Sequence, residues 1–523
     1  MTEGTTGFST RLGLVAGLLA ALSAAPAAAA AWQHKVDPWV LDRVAATRGG
    51  AAAREAEFLV FLDEQADLSP ARRLPTKAEK GRFVFARLTE VAAATQGPVL
   101  AELEALGTAH RPYWIANMIW VRGGLGAVQA MAERADVARV LANPWVRAEL
   151  PRPAAALAPA APLTPEWGVQ QIGAPAFWAE GVTGQGVVVA GQDTGYDWDH
   201  PALIEMYRGW NGSTASHDYN WHDAIHVPNG TCPADSTVPC DDNGHGTHTM
   251  GTMVGDDGAG NQVGVAPGAR WIGCRNMNVG NGTPTTYSEC FQFFLAPTDL
   301  GGNNPDPDLA PDVINNSWAC PVSEGCVDPT ALQTVVENTR AAGIAVVVSA
   351  GNSGAGGCGT VNTPAAIYDA AFSIGSTTIT DAISSFSSRG PVTVDGSDRR
   401  KPDVAAPGSS VRSSVPGGGY GNLSGTSMAS PHVVGQVALL VAARPQLAGD
   451  VDGVEECIRA TAVPLASTQT CGGIPAGEVP NNVFGDGRVQ LVWPLPAACD
   501  GSLVFADGFE SGDVSAWSAA VGP

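Results

Sequence analysis

Three side chains in this sequence have the types and settings that nucleophilic catalysis requires. Asp193 follows the apolar run GVVVAG, His245 stands between two glycines in DDNGHGTH, and Ser427 opens the strongly apolar stretch SGTSMASPHVVGQVALLVAA. Acyl transfer by a serine needs a histidine as general base and a carboxylate to orient that base. These residue types, each in such a setting, predict a triad for acyl transfer.

Each residue alone also has a structural explanation. An Asp-Thr-Gly after a strand is often only a turn, a lone histidine is more often structural, and a serine at a helix start is usually an N-cap. The settings favour catalysis here. Open α/β sheets keep their sites at the carboxyl ends of strands, the glycines beside His245 allow close approach, and a helix N-terminus at Ser427 favours negative charge.

The elements that must position these residues alternate between buried strands and helices from residue 167 to about residue 494. Strand-like runs occur at 186–191, 312–318 and 343–351, and helical patterns such as 329–343 lie between them. This alternation predicts an α/β fold, a mainly parallel sheet sandwiched by helices. The helix that starts near Ser427 is expected to hold Pro431 in its first turn, where proline is tolerated.

The segment before this region has the pattern of a second, smaller unit. Strand-like runs at 58–62, 113–121 and 145–150 alternate with helical patterns at 77–106 and near 127–138. Strand, helix, strand, helix, strand is the order of a small α+β domain. The Ala/Pro-rich stretch 151–165 that follows cannot build a core, and it predicts an exposed linker open to proteolysis.

The first residues have the features of an export signal. Arg11 precedes an apolar run from Leu12 to about Ala24, and small residues follow at 27–31. The run is too short to span a bilayer, and its flank suits signal cleavage. We therefore expect a signal peptide at 1–31, a secreted (extracellular) protein, and no membrane partner after the signal is removed.

The ten cysteines of an exported chain argue for disulfides. Two pairs are close enough in sequence to staple single loops, Cys232 with Cys240 and Cys320 with Cys326. Two more pairings are expected without being fixed by the sequence, and they would leave Cys358 and Cys499: Cys274 with Cys290 and Cys457 with Cys471.

The charge of the chain argues against a nucleic-acid partner. The sequence has 29 basic and 51 acidic residues, for a net charge of −22. Phosphate binding needs a basic footprint, which this composition does not offer. We attribute the acidity to solubility rather than to specific cation binding.

The three motif blocks together resemble those of the subtilase family of serine endopeptidases. DTG, HGTH and GTSMASPH occur in the family's Asp–His–Ser order. The resemblance implies the family's parallel sheet sandwiched by helices. It also implies that Asp193 orients the imidazole, His245 is the general base and Ser427 is the nucleophile. Within the family, HDYNWHDAI (217–225) and APDVINNSW resemble bacillopeptidase F-like members.

Two further blocks resemble the family's substrate-handling segments. VVVSAGNSG (346–354) matches the oxyanion motif, so Asn352 would supply a side-chain N–H beside the backbone N–H of Ser427. Taken alone, an asparagine in a Gly-Asn-Ser-Gly loop is more commonly a turn former. NNSWA resembles the strand that pairs with substrate backbone, so Ser317, Trp318 and Ala319 would line the non-primed subsites by β-augmentation.

The resemblance also implies an organisation of the whole chain. Residues 32–150 resemble an inhibitor-like propeptide, a chaperone and intramolecular inhibitor of its own enzyme. The expected segments are listed in chain order: signal peptide (1–31), propeptide (32–150), linker with the processing site (151–165), subtilisin-like peptidase domain (166–495) and short tail (496–523). The resemblance further implies protein and peptide substrates.

The resemblance implies that no cofactor is required, and two departures from the family pattern bear on calcium and on the site. Ala202 stands where many members have a calcium-binding aspartate, so we expect at most a weak structural calcium site. Gln192 stands before the candidate catalytic aspartate, where the family usually has an apolar residue.

Two other classes of function compete with this interpretation. A lipase or esterase would use the same residue types, but its G-x-S-x-G elbow is absent from the sequence. A catalytically inactive subtilase-fold binding module should have lost Asp193, His245, Asn352 or Ser427, and all four are present. We therefore expect a secreted serine endopeptidase that works through an acyl-enzyme and is made as a self-processing zymogen.

Overall fold

The computed structural model describes residues 31–45, 54–147, 164–228 and 230–501. Nearly all of the expected signal peptide and linker, and most of the expected tail, lie outside these ranges. The described chain forms two units, one on either side of residues 148–163. We call them the N-terminal domain and the peptidase-like domain.

The N-terminal domain is a four-stranded antiparallel sheet in the order β2-β3-β1-β4, covered by helices. Its long helix α2 begins at a capping box, in which Thr76 and Glu79 exchange hydrogen bonds. The elements are α1 (Pro38–Val44), β1 (Ala56–Leu62), α2 (Lys77–Ala105), β2 (Ala109–Tyr113), β3 (Met118–Gly123), α3 (Leu125–Glu133), β4 (Val137–Ala142) and β5 (Val146–Arg147).

Two expectations for the N-terminal domain are wrong. The run 113–121 is not one strand but parts of β2 and β3, because a turn at Asn117, with φ 42°, folds it back into a hairpin. The helix expected near 127–138 ends at Glu133, and the chain continues as β4. Val137 and Val140 then reach the core by pairing with β1, a long-range contact that outweighs helix propensity.

The peptidase-like domain alternates helices and strands through most of its length. Its elements are α4 (Trp167–Gln171), α5 (Ala174–Ala179), β6 (Val188–Asp193), β7 (Trp221–Asp223), α6 (His245–Val254), β8 (Arg270–Arg275), β9 (Met277–Asn278), β10 (Asn281–Gly282), α7 (Pro284–Leu295), β11 (Val313–Asn316), α8 (Gln333–Ala341), β12 (Ala345–Ser349), β13 (Phe372–Thr377), β14 (Val404–Pro407), β15 (Val411–Val415), β16 (Gly419–Leu423), α9 (Thr426–Ala443) and α10 (Val451–Thr461).

A seven-stranded sheet in the order β14-β13-β12-β11-β6-β8-β7 forms the centre of this domain, and its adjacent strands all pair in parallel. The order reverses direction around β6, which lies between β11 and β8. Helices α7 and α8 pack on one face, and α6, α9 and α10 on the other. This is the parallel sheet sandwiched by helices that the alternation of patterns predicts.

Helix α9 is the apolar centre of the second face. It is long and apolar enough to cross a membrane by composition, yet 89% of it is buried inside the fold. Pro431 is its sixth residue, so the expectation that this proline lies in the first turn is wrong. Proline lacks the N–H that would bond the carbonyl of Ser427 four residues earlier. The hydroxyl of Ser317 donates to that carbonyl instead, at 3.2 Å.

Five disulfides staple the peptidase-like domain. Three pairs agree with the expectation: Cys232–Cys240, Cys274–Cys290 and Cys320–Cys326. The expected pair of Cys457 with Cys471 is wrong, because Cys457 bonds Cys499 and Cys471 bonds Cys358. Cys457 lies on α10, which packs against the turn at Ala497–Cys499, so closeness in space and not in sequence decides the pairing.

Candidate active site

Three elements bring the predicted catalytic side chains together. Asp193 is the last residue of β6, His245 is the first residue of α6, and Ser427 is the second residue of α9. Helices α6 and α9 pack against each other on the same face of the seven-stranded sheet, and both contact β6. The chain enters α6 through Gly244, whose φ of 96° favours glycine. The three elements that carry these residues therefore contact one another, while no hydrogen bond links Ser427 to Nε2 of His245 in the described chain.

His245 and Asp193 form a buried hydrogen-bonded pair. Nδ1 of His245 lies 2.7 Å from Oδ1 of Asp193, and both side chains are essentially inaccessible to water. The same Oδ1 accepts the backbone N–H of Thr194 at 2.8 Å, and Oδ2 accepts the hydroxyl of Thr249 at 3.3 Å. Nε2 of His245 has no hydrogen-bond partner among the described residues. The arrangement holds the imidazole with Nε2 available as a base.

The second histidine of this motif is chemically different from the first. Burial, together with a smaller electrostatic effect of His245, lowers the pKa of His248 to about 3. Its Nε2 donates to the backbone carbonyls of Val411 and Gly421 at 3.0 and 3.1 Å. His248 is therefore a neutral residue at physiological pH that ties α6 to the hairpin β15–β16.

Asn352 is held so that one end of its side chain remains available. Its Oδ1 accepts the backbone N–H of Thr426 at 2.9 Å and the Thr426 hydroxyl at 3.0 Å. A Cβ placed on Gly425 would lie 3.6 Å from both Asn352 Nδ2 and the backbone N of Ser427. The two expected oxyanion donors therefore flank the same point, and the fixed Oδ1 leaves Nδ2 to face it.

A cavity of 330 Å³ adjoins these groups. Its lining includes Ser427, Asn352 and the three residues expected to bind substrate, Ser317, Trp318 and Ala319. The indole of Trp318 stacks on the ring of Tyr287, with centroids 3.9 Å apart and planes at 11°. The rest of the wall is mostly small and polar: Ser349, Ser353, Thr360, Asn362, Thr363 and Ser388.

The end of the N-terminal domain forms part of the wall of this cavity. Strand β5 pairs antiparallel with β10, with Arg147 opposite Asn281 and Val146 opposite Gly282, and Arg147 lines the cavity with Ser427. The sequence reasoning missed this strand-pairing edge. A Cβ on Gly282 would lie 2.5 Å from the ring of Tyr287, so glycine is needed there. In the sequence, only a glycine in the turn just before a helix indicated that a strand could pair there.

Gln192, which departs from the family pattern, is part of a buried polar network. Its side-chain amide donates to Oδ1 of Asn316 at 2.7 Å, and its oxygen accepts from Nδ2 of Asn276 at 2.8 Å. Both ends of the amide are therefore satisfied without water, which removes most of the cost of burying it. The network joins β6 to its neighbour β11 immediately beneath Asp193.

The residues near α6 do not fit a tight calcium site. The carboxylate of Asp257 already accepts the backbone and side-chain N–H groups of Asn261, the N–H of Ala259 and the hydroxyl of Tyr420. Ala202 offers no side-chain oxygen, while calcium takes six to eight oxygen ligands. Among the described residues, no group of three or more His, Cys, Asp or Glu side chains is placed to hold a metal.

A guanidinium group occupies the same neighbourhood. Arg412, on β15, donates to Oδ1 of Asn261 at 2.6 Å and to Oε1 of Glu166 at 2.8 Å. It also lies over the ring of Tyr420, 4.5 Å from the centroid. The cationic side chain therefore ties the start of the peptidase-like domain to the loop after α6.

Comparison with known proteins gives consistent matches. The sequence model of the subtilase family matches residues 184–487. Bacillopeptidase F of Bacillus subtilis (strain 168) is 41% identical over 344 residues, 64% of this chain and 22% of that protein. Subtilisin E of the same organism is 34% identical over 280 residues, 53% of this chain and 61% of that protein. Subtilisin Savinase of Lederbergia lenta is 32% identical over 308 residues, 58% of this chain and 94% of that protein. The chain thus spans less than two thirds of the length of the first two relatives.

Proposed function

Because the chain belongs to the subtilase family, we propose that it is a serine endopeptidase that hydrolyses peptide bonds of proteins through an acyl-enzyme. The membership inferred from the motif blocks is confirmed. One observation supports the assignment of the triad most directly. The buried imidazole of His245 is bonded through Nδ1 to Asp193 at 2.7 Å, and its Nε2 has no partner in the part of the chain that the structure describes.

In this proposal the first half of the reaction acylates Ser427. His245 Nε2 takes the hydroxyl proton as Ser427 Oγ attacks the substrate carbonyl carbon. Asp193 keeps Nδ1 protonated and stabilises the imidazolium, without itself taking the proton. His245 then gives the proton to the leaving amine, the C–N bond breaks, and the acyl group stays on Ser427. In the second half, water attacks the acyl group with His245 again acting as the base. The carboxylic acid product leaves and Ser427 regains its proton.

The negative charge that develops on the carbonyl oxygen needs donors fixed before the reaction. We assign these donors to Nδ2 of Asn352 and the backbone N–H of Ser427. Support comes from the hydrogen bonds that hold Asn352 Oδ1 on Thr426, because they leave Nδ2 as the free end. The N-terminus of α9 adds a favourable field for the oxyanion.

Reaction with a fluorophosphonate probe tests the proposal. The probe is expected to label the enzyme once, at Ser427, and Ser427→Ala and His245→Ala should abolish labelling. Ser353→Ala, a change in another serine of the cavity wall, is the matched control and should label normally. Absence of labelling in the mature wild-type protein would contradict the proposal and support the inactive binding module instead.

We also propose that the N-terminal domain is an intramolecular inhibitor and that the protein is a secreted zymogen. Strand β5 pairs with β10, and its Arg147 lines the same cavity as Ser427, which supports inhibition by obstruction of the cleft. The signal-like residues 1–31 and the five disulfides support export to an oxidising compartment. Substrates are proteins and peptides, and nucleic acid and membrane are not among the proposed partners.

The proposed organisation keeps the boundaries set out from the sequence. Residues 32–150 are the propeptide, 151–165 the processing segment, 166–495 the peptidase domain and 496–523 a tail of unassigned role, whose start is tied to the domain by the Cys457–Cys499 disulfide. Subtilases need no cofactor, and we propose that any calcium bound here is weak and structural. N-terminal sequencing of the secreted enzyme, with mass spectrometry of its intact mass, tests the boundaries.

A further inference from the structure

A short disulfide loop borders the cleft opposite β10. Cys320 and Cys326 close this 320–326 loop, and its single helical turn ends at Glu324. A Cβ on Gly325, where φ is 108°, would lie 2.5 Å from Nε1 of Trp39, so the loop packs closely against the N-terminal domain. Glu324 lines the same cavity as Ser427. The loop therefore presents one carboxylate to whatever lies in the cleft.

That carboxylate binds the backbone of the inserted strand. The N–H of Arg147 donates to Oε2 of Glu324 at 2.8 Å. In an antiparallel pair, successive residues alternate between exchanging hydrogen bonds with the partner strand and facing away from it. Arg147 lies opposite Asn281 of β10, but its N–H is turned to the other edge, toward Glu324. Strand β5 is thus held by β10 on one edge and by a side chain on the other.

We propose that Glu324 is a substrate-binding residue that accepts one backbone N–H of the extended peptide on the amino-terminal side of the cleaved bond. This inference rests on the proposed peptidase function, with β5 standing in for substrate. An N–H bound to an ionised carboxylate is stronger than one bound to a neutral carbonyl. No cationic side chain in the described chain forms an ion pair with Glu324, so departure of β5 leaves the carboxylate ready for the next peptide.

The contact would impose a specificity that does not depend on side-chain size. Proline and N-alkylated residues carry no N–H. At the position that replaces Arg147 they would remove the donor that the partly exposed Glu324 carboxylate binds, and the hydrogen bond would be lost. The enzyme should therefore reject proline at one position upstream of the cleaved bond, for a reason that a cavity shape alone would not give.

A scan with N-methylated peptides tests the assignment in the mature enzyme. One fluorogenic substrate is made as a series in which each upstream amide is N-methylated in turn, and kcat/KM is measured for each. For the wild type, one position should lower kcat/KM by a few fold to about tenfold through this contact, the range for a typical net hydrogen bond, because the bond is exposed to solvent. Glu324→Ala should lose a similar factor on the unmethylated peptide and should show no further loss at that position.

Two comparisons make the result specific. Glu324→Gln keeps an acceptor oxygen and should lie between the wild type and Glu324→Ala, while Glu337→Gln removes an exposed carboxylate of the peptidase-like domain and should match the wild type. Fluorophosphonate labelling of Ser427 should be unchanged in all variants, which shows that they are folded. If Glu324→Ala cleaves the unmethylated peptide as fast as the wild type, or keeps the full penalty at every methylated position, the proposal is overturned. If the labelled wild type cleaves no peptide, the proposed function falls with it.

Discussion

At the scale of single residues, hydrogen bonds to the fixed parts of the fold decide which atoms of the reactive groups stay free. Both oxygens of Asp193 are engaged, by the His245 ring on one side and by Thr249 on the other. Within the described ranges Nε2 of His245 has no hydrogen-bond partner, and Asn352 is anchored through Oδ1 on Thr426. The atoms left free are the ones that the proposed reaction uses. The hydrogen bonds of the other atoms therefore orient the reactive groups before substrate arrives.

The assignment of Asn352 gives a prediction at this scale. Asn352→Ala should lower kcat by roughly 10²–10³-fold, about 3–4 kcal/mol, with KM little changed, because the donor acts mainly on the tetrahedral intermediate. Steady-state kinetics on one peptide substrate measures both constants. Asn362→Ala, in another asparagine of the same cavity wall, is the control. A loss below tenfold for Asn352→Ala would mean that another group fills the role.

At the scale of elements, helix α7 joins the two domains through side chains on one of its faces. Oε1 of Gln292 accepts the backbone N–H groups of Trp114 and Ile115, at 2.8 and 3.2 Å. One turn earlier, the buried carboxylate of Glu289 accepts the Tyr113 hydroxyl at 2.6 Å and the Arg111 guanidinium at 3.1 Å. A row of acceptors on α7 therefore holds the strand β2 and the turn after it.

Glu289 also contacts two histidines of its own domain. Nε2 of His222 and of His226 lie 2.9 and 3.0 Å from Oε1, and Nδ1 of His226 contacts Asp235. Burial raises the pKa of Glu289, but the hydrogen bonds and charges of the histidines outweigh it and hold the pKa well below its usual value. The carboxylate contributes its stabilisation above the ordinary pKa of 4.5 and loses it only as pH falls through the lower value.

The sign of the pH effect on domain binding follows from Arg111. Burial lowers the pKa of His226, but the hydrogen bond and the charge of Glu289 raise it by more. The charge of Arg111 lowers the pKa again in part, and the net result is a pKa above the ordinary value of 6.5. For folding of the peptidase-like domain alone, a raised pKa stabilises at low pH and the benefit is lost as pH rises through it. For binding of the N-terminal domain the direction is opposite. The domain that carries Arg111 lowers the pKa of His226, so protonation favours release.

We therefore expect the N-terminal domain to bind less tightly at about pH 5.5 than at about pH 8.5. The dissociation constant should rise as the pH falls through the raised pKa of His226. The measurement uses the inactive Ser427→Ala protein, cut at a protease site introduced into 151–165, with retention of the N-terminal domain followed by gel filtration. Arg111→Gln should remove most of the pH dependence. An unchanged dissociation constant in the parent protein would contradict the mechanism.

The ties made by Arg412 give a second prediction at the scale of elements. Calcium at 1 mM should stabilise the mature enzyme only slightly, because the guanidinium already engages Asn261 and Glu166. A millimolar site contributes about 0.4 kcal/mol at that concentration, and a micromolar site about 4 kcal/mol. Melting in calcium and in excess chelator distinguishes them. A shift above about 10 °C would contradict the weak-site prediction, whereas Arg412→Gln should lower the melting temperature in both buffers.

At the scale of the whole molecule, the two domains are held together by noncovalent contacts and by no disulfide. All ten cysteines lie at or after Cys232, and their five bonds are internal to the peptidase-like domain. Apolar side chains of both domains, among them Leu59, Ile115 and Phe294, share one core cluster. Cutting the chain between the domains would therefore allow separation without reduction of any disulfide.

The position of the two domains also bears on maturation. Ser427→Ala should abolish peptidase activity and leave the full precursor, because the proposed cleavage is autocatalytic. In the wild type the cut should fall in 151–165 and leave a mature N-terminus just before Trp167. The N–H of Glu166 is bonded to the carbonyl of Gln262 at 3.0 Å, which anchors the chain at that point. Processing of purified Ser427→Ala without added protease, or a mature start before Phe58, would contradict this prediction.

Local patterns in the sequence were enough to identify the family, the parallel sheet with helices on both faces, and the four residues proposed for catalysis. Each of these depends on short motifs or on apolar periodicity, which neighbouring residues carry. Only the tertiary structure decided the partners of Cys358, Cys457, Cys471 and Cys499, and the strand pairing that turns 137–142 into β4. It alone placed Glu324 beside Arg147 and Glu289 beside Arg111. The last two contacts join residues more than a hundred positions apart, and no local preference encodes which distant groups packing will bring together.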